Sequence, residues 1–423
     1  MQPGSPNAAG QPSSPSVLEF VALIALMMGL TALSIDNLLP AFGPIQADFG
    51  IEAENDLQLL VYVYMIGFAV MQLVYGPLSD VLGRKPILTI GLTIYAAGCL
   101  LSLVAPTFTV LLVARAIQGI GVAAARVLAI AIVRDCYEGR EMARIMSLTM
   151  MVFITVPVFA PAIGSFTLLF GSWHLIFASM LVLALMLAVW FGMRMPETLH
   201  PEYRFPFSVR RIMEGVRLTV RTREAVGYST AIGLLFGSIM GYVGSAQQIF
   251  ETEVYGLGGY FPVAFGIIAA VMGLASWVNS RLVRRLGMRR LSHAGITGFL
   301  LFAVLQLAAA WLFDGHPPLL LFGAILAGNQ FLTGLTMPNF NAMAMEPLGA
   351  VAGTASSFIG FYTTLIGVAA GMLVGLTFDG TVMPLALGYT ILGAISVLVV
   401  LWTEGGVLFR PHNPDPPEGA ERR

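Results

Sequence analysis

The sequence predicts an all-α integral membrane protein with twelve transmembrane helices in two six-helix halves. Apolar stretches of about 20 residues, the length that crosses a ~30 Å hydrocarbon core, recur along the whole chain. Charged residues make up 11% of the sequence, against about 25% in soluble domains, and the mean hydropathy is +0.82. The 22 Lys and Arg residues also avoid every second connection between these stretches.

Hydropathy alone places the twelve spans. They are Val17–Ala41, Leu57–Leu78, Pro86–Val104, Thr109–Val133, Ala143–Leu169, Trp173–Met193, Ala225–Phe250, Phe261–Ser280, Leu291–Phe313, Pro317–Ala342, Val351–Phe378 and Val382–Thr403.

Charge sets the expected orientation of these spans. Connections after odd-numbered spans carry only acids: Asp48, Glu52, Glu54, Asp56, Glu251, Glu253, Asp314 and Asp379. Connections after even-numbered spans carry the arginines and Lys85, including Arg134, Arg140, Arg144 and the group Arg281–Arg290. The positive-inside rule then predicts that both termini are cytoplasmic, which requires an even number of spans.

The predicted organisation has five parts. Residues 1–16 form a disordered cytoplasmic tail, 17–193 a six-helix bundle, 194–224 a cytoplasmic linker, 225–403 a second six-helix bundle, and 404–423 a cytoplasmic tail. The linker holds seven arginines. Its segment Phe207–Val220 has a basic face opposite an apolar one, which is typical of a helix lying on anionic lipid. A solvated linker is the alternative.

Several functional classes are disfavoured by what the chain lacks. Cys99 and Cys136 lie far apart, and no Cys or His pair has metal-ligand spacing, so neither a metal site nor a disulfide is expected. The basic residues lie at one membrane face, not along a groove that could take nucleic acid. A membrane enzyme or receptor is a remote alternative, since the sequence has no catalytic grouping, phosphate loop or soluble domain.

The two halves repeat one feature. Asp80–Lys85 follows the second span and Arg284–Arg289 follows the eighth, and each is a short, Gly-centred, Arg-rich turn. Such a repeat predicts two bundles with a pathway between them, which rock against each other to expose a central site alternately to each side. This is the architecture of a transporter.

The turn after the second span lies within Gly76–Pro86, which resembles the signature loop of the major facilitator superfamily. The resemblance implies the major facilitator fold and a gating role for Gly76, Asp80, Gly83 and Arg84. We expect the two glycines to allow close approach and a tight turn. Asp80 should accept hydrogen bonds from a helix N-terminus such as Gly353-Thr354.

The same loop also carries expectations about its positive charges. Arg84 and Lys85 should stay at the level of the lipid headgroups. The superfamily pattern usually has Arg where this chain has Val81, which predicts a thinner charge network at this gate.

Two arginines lie within the fourth span. Arg115–Ala123 resembles the superfamily's Arg-x-x-Gln-Gly motif. Arg115 and Arg126 are eleven residues apart, or about 20° on a helical wheel, so they share a face. An arginine inside a span should face a cavity or a partner. For Arg126, which is nearer the cytoplasmic end, snorkelling to water is the alternative.

Three further segments narrow the resemblance. Pro157 and Ala160–Ser165 are similar to the drug/proton antiporter motif, which implies that Pro161 and Gly164 help to kink helix five against helix eight. An ordinary Pro-kinked helix is the alternative. Ser34–Ala41, and Asn339–Pro347 with Ala352–Ser357, resemble the Bcr/CflA group of drug-resistance transporters.

The Bcr/CflA resemblance implies a function. A member of this group would export small hydrophobic or amphipathic compounds in exchange for protons, as a monomer in a bacterial cytoplasmic membrane and without a cofactor. A transporter specific for a metabolite or nutrient is the second hypothesis. A cavity crowded with charges or sugar-binding amides would favour it, whereas this chain's spans are poor in charge.

Proton coupling needs a titratable group reachable from both sides. Asp36 is the only acid placed well inside a span, about 25 Å above Glu19. Arg115 lies roughly 12 Å below the outer end of its span, so the two side chains are predicted at similar depth on facing helices. Burial disfavours a charged carboxylate and a nearby guanidinium favours it, so a substrate could change this balance. The alternative is that Asp36 only caps the outer helix end near Pro40.

Substrate contacts are less readable from the sequence. The predicted lining groups are Asn37, Gln118, Tyr242, Gln247, Asn329 and Asn339. Polar groups in spans also bridge helices, which is the alternative for each of them. Met65, Phe159 and Phe236 are expected to face lipid or the core and not a substrate.

Overall fold

The computed structural model describes residues 15–200, 202 and 208–409, and within them the chain is built from α-helices and short helical turns, without strands. Twelve segments of this part of the chain are long and apolar enough to span a membrane, which confirms the predicted fold class. The helices are α1 Val17–Asp36, α2 Phe42–Phe49, α3 Leu59–Leu82, α4 Arg84–Leu103, α5 Phe108–Cys136, α6 Gly139–Leu168, α7 His174–Arg194, α8 Val209–Arg221, α9 Arg223–Gln247, α10 Phe261–Leu286, α11 Met288–Leu312, α12 Leu319–Met345, α13 Ala352–Gly375 and α14 Met383–Thr403.

The turn that ends the second span has the same backbone conformation as the turn that ends the eighth. Gly83 has φ 98° and ψ 160°, and Gly287 has φ 78° and ψ 157°. Side-chain-bearing residues rarely adopt such positive φ values, which explains why glycine stands at both positions. The repeat seen in the sequence is therefore also a repeat in structure.

The first span is longer than hydropathy predicted and is broken in the middle. α1 ends at Asp36, a 3-10 turn covers Leu39–Ala41, and α2 continues to Phe49. Residues beyond Ala41 resemble a loop in sequence because Pro44, Gln46 and Asp48 interrupt the apolar run. Asp36 therefore lies at a break inside the span, and not at its outer end.

Both ends of the first span are tied to the sixth. Near its start, Glu19 pairs with Arg194 at 2.6 Å and accepts a hydrogen bond from Trp190 at 3.1 Å. Near its end, the indole nitrogen of Trp173 donates to Asp48 at 3.0 Å. These contacts hold both segments of the broken helix against α7.

The two halves pack together along two pairs of helices. α3 lies against α13, and α6 lies against α10. Gly266 of α10 approaches α6 so closely that a Cβ there would lie 2.8 Å from the Val158 carbonyl oxygen. The predicted packing of helix five on helix eight is therefore present, and it is centred on this glycine.

The linker between the sixth and seventh spans contains α8. The helix covers Val209–Arg221, close to the predicted Phe207–Val220, whose first residue lies outside the described residues. Residues 1–14 and 410–423, which make up most of the two predicted tails, also lie outside them.

Candidate transport pathway

A central cavity of about 810 Å³ lies between the two halves. Its walls come from α1, α3, α5 and α6 on one side and from α9, α10, α12 and α13 on the other. At one end it reaches the turn after α3 and the start of α8, where Asp80, Arg84, Arg134, Ser208 and Gly353 surround it. This end carries the arginine-rich connections, and we call it the basic face.

Asp36 lies in the wall of this cavity, at the end of α1. It is 6% exposed and lies within electrostatic reach of the Tyr64 and Tyr242 hydroxyl groups. The break after Asp36 interrupts the regular helix at this depth, as in transporters whose sites are built on discontinuous helices. The Asp36 carboxylate is thereby presented to a largely apolar part of the cavity, far along the chain from Asp80 at its mouth.

Other polar groups of the wall are buried without a hydrogen-bond partner among the described residues. They are Thr31 Oγ1, the Tyr242 hydroxyl and Gln330 Oε1. Tyr242 is fixed by stacking on Phe265, with ring centroids 5.6 Å apart. Unsatisfied buried polar atoms are costly, so these atoms are suited to hydrogen-bond a guest that fills the cavity.

Arg115 is fully buried beside the cavity and is held by three acceptors. It donates to the Leu60 carbonyl at 2.9 Å, to Gln118 Oε1 at 2.6 Å and to the Ser34 carbonyl at 3.0 Å. Its guanidinium also lies 4.3 Å from the centre of the Tyr64 ring. Ser34 is two residues before Asp36, in agreement with the predicted similar depth. Among the described residues, however, the donors of Arg115 reach carbonyls and an amide, and not the Asp36 carboxylate.

Arg126, the second arginine of the fourth span, borders the central cavity, whereas Arg115 does not. Arg126 lines the cavity, together with Val127 and Ile130 of the same helix. Although Arg115 and Arg126 were expected on one face of the helix, their side chains have different surroundings. Arg115 is packed among α1, α3 and α5, whereas Arg126 borders the open space.

Of the six predicted substrate residues, Tyr242 is the one that lines the cavity in this conformation. Asn37 and Gln118 are buried within the first half, where Gln118 donates to Ser102 Oγ at 3.2 Å. Gln247 is buried at the end of α9. Asn329 donates to Gln306 at 2.9 Å and Asn339 to Asn279 at 2.7 Å, so both bridge helices.

The cavity wall contains residues that the sequence reading missed. Polar ones include Gln72, Gln330, Asn341, Thr363 and Thr364. Met65 and Phe236 belong to the core or pack against it, as expected, and they also line the cavity. Phe159 is 58% exposed on the outer surface, as expected. For Gln330, the sequence offered one signal: it is a polar residue directly beside Asn329, which was predicted to line the cavity.

At the end opposite the basic face, the cavity is closed by hydrogen bonds between the halves. Gln58 donates to Gln248 Oε1 at 2.7 Å and to the Gly375 carbonyl at 2.9 Å. Gln248 in turn donates to Asn55 Oδ1 at 2.8 Å. A Cβ on Gly375 would collide with Gln58 and Tyr62, so glycine permits this close approach.

Two further donors of the first half complete this closure. Asn55 donates to the Leu376 and Phe378 carbonyls at 3.1 and 2.8 Å. Tyr62 donates to the Gly371 carbonyl at 3.0 Å. We call Asn55, Gln58, Tyr62 and Gln248, with the carbonyls they reach, the clasp.

The loop at the basic face is organised around Arg84. Its guanidinium pairs with Asp80 at 2.6 Å and with Asp135 of α5 at 2.8 Å. Glu197, beyond α7, accepts from the backbone nitrogens of Arg84 at 2.9 Å and Lys85 at 3.1 Å. Arg84 is 3% exposed. It is therefore buried in a network of ion pairs at the basic face, and its position at the level of the lipid headgroups stays a prediction.

Lys85 is also engaged, because its amino group donates to the Gly192 and Met195 carbonyls at 2.7 and 3.0 Å. Val81, which stands where the superfamily pattern has arginine, lines the cavity. The charge network thus joins α3 to α5 and to the end of α7, all within the first half.

Asp80 has a different partner from the one expected. In this conformation the described hydrogen bonds and ion pairs join it to Arg84, and not to the N-terminus of α13 at Gly353-Thr354. Asp80, Gly353 and Thr354 all line the open mouth of the cavity. Gly76 lies closer to α13, where an added Cβ would collide with Ser357 Oγ.

The proline-containing part of α6 packs on the break in the first span. Pro157 and Pro161 lie inside α6, and Pro157 lines the cavity. A Cβ on Gly164 would collide with the Asn37 carbonyl oxygen. Gly164 therefore permits contact with the first span, while the contact with the eighth span is made at Val158 and Gly266.

Comparison with known proteins agrees with this architecture. The sequence profile of the Major Facilitator Superfamily matches residues 24–372. The "Bicyclomycin resistance protein homolog" of Haemophilus influenzae is 30% identical over 399 residues, covering 91% of this chain and 95% of that protein. "Multidrug resistance protein D" of Escherichia coli is 25% identical over 353 residues, covering 81% of this chain and 85% of that protein.

Solved structures carry the same fold. The crystal structure of a D-xylose–proton symporter aligns with a TM-score of 0.73 over 93% of this chain and 98% of that one, at 16% identity. The two halves surround a cavity that is open at one face and closed at the other. The superfamily profile matches most of the chain, and its relatives align over most of its length. This chain is a transporter that belongs to the Major Facilitator Superfamily.

Proposed function

We propose that this protein exports small hydrophobic or amphipathic drug-like compounds in exchange for protons. The observation that carries the proposal is the mostly apolar cavity between the halves, with Asp36 in its wall. The names of the Haemophilus and Escherichia relatives, which refer to bicyclomycin and multidrug resistance, support drug export.

The proposed orientation places the basic face in the cytoplasm of a bacterium, with both termini inside and the monomer as the working unit. The distribution of arginines supports this choice. The conformation is then open to the cytoplasm and closed to the outside by the clasp. A compound in the cytoplasm or the inner leaflet can enter, and the unsatisfied polar atoms of Thr31, Tyr242 and Gln330 can bind its polar groups.

Coupling follows from the cost of enclosing a bare charge. When both gates close around an empty cavity, a charged Asp36 would be left in a low-dielectric space, which is unfavourable. A proton taken up from the outside removes this charge and permits the return to the open-inward form. There Asp36 releases the proton to the cytoplasm, and a bound substrate then supplies the compensating contacts for the outward movement. Arg115 acts as a positioning residue that fixes α1, α3 and α5 around this carboxylate.

The test is transport into inverted membrane vesicles across a range of pH, with substrate binding measured in parallel. Asp36→Asn should bind an uncharged substrate but lose export driven by a pH gradient. Glu52→Gln, which changes an exposed acid just beyond the same span and outside the cavity, is the control and should transport normally. Wild-type pH dependence in Asp36→Asn would refute coupling through Asp36.

Breadth of substrate is tested separately. An efflux-deficient bacterium that expresses the chain should resist several unrelated amphipathic toxins. Resistance to none of them, together with gradient-driven uptake of one metabolite, would support the alternative of a specific nutrient transporter.

A further inference from the structure

The linker helix α8 has one face packed against the protein. A Cβ on Gly215 would lie 2.9 Å from Thr354 Cγ2 of α13, and Thr219 is 1% exposed. Ile212, on the same side, lines the mouth of the central cavity. α8 is therefore seated beside the mouth and is not a free linker.

A second face of α8 is apolar and exposed. Val209, Met213 and Val220 are 61%, 59% and 53% exposed. At 100° per residue these three side chains lie within about 40° of one another on the helix surface. Exposing such an apolar stripe to water is unfavourable. We therefore ask which apolar surface of the membrane-spanning helices lies next to it.

The stripe continues into the surface of the membrane-spanning region. Val220 lines a small apolar cleft of about 60 Å³ together with Val226 of α9 and Phe358 and Tyr362 of α13. Val226 lies in the first turn of α9, Phe358 and Tyr362 lie in the second and third turns of α13, and α8 leads into α9 with Thr222 alone between them. The end of α8 is thereby placed at the depth where the hydrocarbon gives way to headgroups.

The third face of α8 is basic. Arg210, Arg217 and Arg221 are exposed, and they lie about 80–120° around the helix from Val209. The helix contains four arginines and one glutamate, which gives it a net charge of +3. Glu214 pairs with Arg210 at 2.9 Å, so Arg217 and Arg221 are the less neutralised cations.

We propose that α8 is a docking surface for anionic phospholipids of the leaflet at the basic face. The apolar stripe enters the boundary of the hydrocarbon, and Arg210, Arg217 and Arg221 bind headgroup phosphates. Adjacent apolar and basic stripes on one helix are suited to this interface. The continuity with Phe358 and Tyr362 favours lipid over a soluble acidic partner. Because Gly215 packs on Thr354 at the cavity mouth, lipid bound to α8 also stabilises the arrangement of that mouth.

The test measures the depth of α8 in a bilayer, using the full-length protein in nanodiscs. Cys99 and Cys136 are replaced by alanine, and a nitroxide is attached at Met213→Cys. Its accessibility to oxygen and to a water-soluble nickel chelate is followed as phosphatidylglycerol replaces phosphatidylcholine. The label should move deeper as phosphatidylglycerol increases, and 0.5 M NaCl should reduce the movement by about twofold or more, because salt screens such contacts.

Two triple variants separate the arginines of α8 from general charge at this face. Arg210→Gln/Arg217→Gln/Arg221→Gln should raise the half-maximal phosphatidylglycerol fraction by at least about fivefold, the effect expected for one surface arginine. The control Arg284→Gln/Arg285→Gln/Arg290→Gln removes three exposed arginines from the same face and should leave it unchanged. Arg217→Gln alone should give a smaller shift in the same direction, so the test does not depend on the folding of the triple variant.

Three results would overturn the proposal. A label that stays accessible to nickel in every lipid would show that α8 does not dock. Equal shifts in the two triple variants would show an unspecific effect of net charge. A label shielded from water in pure phosphatidylcholine, in both variants, would show contact with protein or neutral lipid. None of these measurements involves transport, so their outcome is independent of the proposed drug export.

Discussion

The hydroxyl of Tyr62 in the second span donates a hydrogen bond to the carbonyl of Gly371 in the eleventh, across the boundary between the two halves. With the amides of Asn55, Gln58 and Gln248 it forms a closure made of neutral groups. Neutral hydrogen bonds contribute about 1 kcal/mol each. Such a closure is strong enough to hold one conformation and weak enough to open in each cycle.

Tyr62→Phe should weaken the clasp and shift the protein towards a form that is open opposite the basic face. Loss of about 1 kcal/mol corresponds to a roughly fivefold change in the ratio of the two forms. Distance distributions between nitroxides at Glu52 and Asp379 measure this ratio. Tyr95→Phe is the control, since its hydroxyl pairs with Ser34 inside one half. Equal distributions in wild type and Tyr62→Phe would contradict the assignment.

Gly375→Ala should disturb the same closure by steric conflict. The new methyl group would collide with Gln58 and Tyr62, and overpacking of this kind costs about 1–3 kcal/mol. We expect faster labelling of Val243→Cys, in the cavity wall, from the face opposite the basic one. Gly323→Ala adds the same methyl group to α12, where nothing lies within 4 Å, and should leave labelling unchanged. Identical rates for the two variants would argue against a close approach at Gly375.

Arg115→Ala should destabilise the first half as well as impair transport. It removes the donors for Ser34, Leu60 and Gln118, and hydrogen bonds of charged groups are worth about 1.5–3 kcal/mol each. Arg115→Lys should restore part of the stability, since an ammonium cannot reproduce the planar fork. Thermal unfolding in detergent, read beside transport, checks this order. A fully stable but inactive Arg115→Ala would instead point to direct contact with substrate or proton.

Asp80→Asn should favour the conformation described here. It weakens the pair with Arg84, and it also removes the carboxylate predicted to bind the N-terminus of α13 when the mouth closes. Nitroxides at Leu82 and Gly353 should therefore report a larger fraction of long distances. Glu141→Gln, an exposed acid of the same face that pairs with Arg144, should have no effect. An unchanged distribution in Asp80→Asn would leave Asp80 as a helix-end charge.

The proposed orientation is checked by labelling single cysteines with membrane-impermeant reagents in intact cells. Cysteines at Glu54, Glu253 and Asp314 should react from outside, and a cysteine at Arg285 should not. Tyr203, the obvious second control in the linker, lies outside the described residues. External reaction at Arg285 would reverse the orientation.

The twelve spans were predictable because a bilayer demands a minimum apolar length, which is readable residue by residue. The extension of the first span was not, because Asp48 resembles a loop residue until Trp173 is known to bond it. The cavity wall was less predictable still. Asn329 and Gln330 are neighbours of similar chemistry, yet about 100° of helix rotation directs one to Gln306 and the other to the cavity. Packing between helices decides that rotation, and a single sequence does not contain it.

The anchoring of the first span to the sixth at both ends limits how Asp36 can move. Since Glu19 is held by Arg194 and Asp48 by Trp173, neither segment can slide along its axis without breaking a contact. The turn at Asn37 and Leu38, where the α-helix is interrupted, is then where we expect the span to twist. Asp36, directly beside that pivot, would turn with it. Changes in a few backbone torsions would thus be enough to switch the carboxylate from the solution on one side of the membrane to that on the other. Both ends of the helix would stay in place.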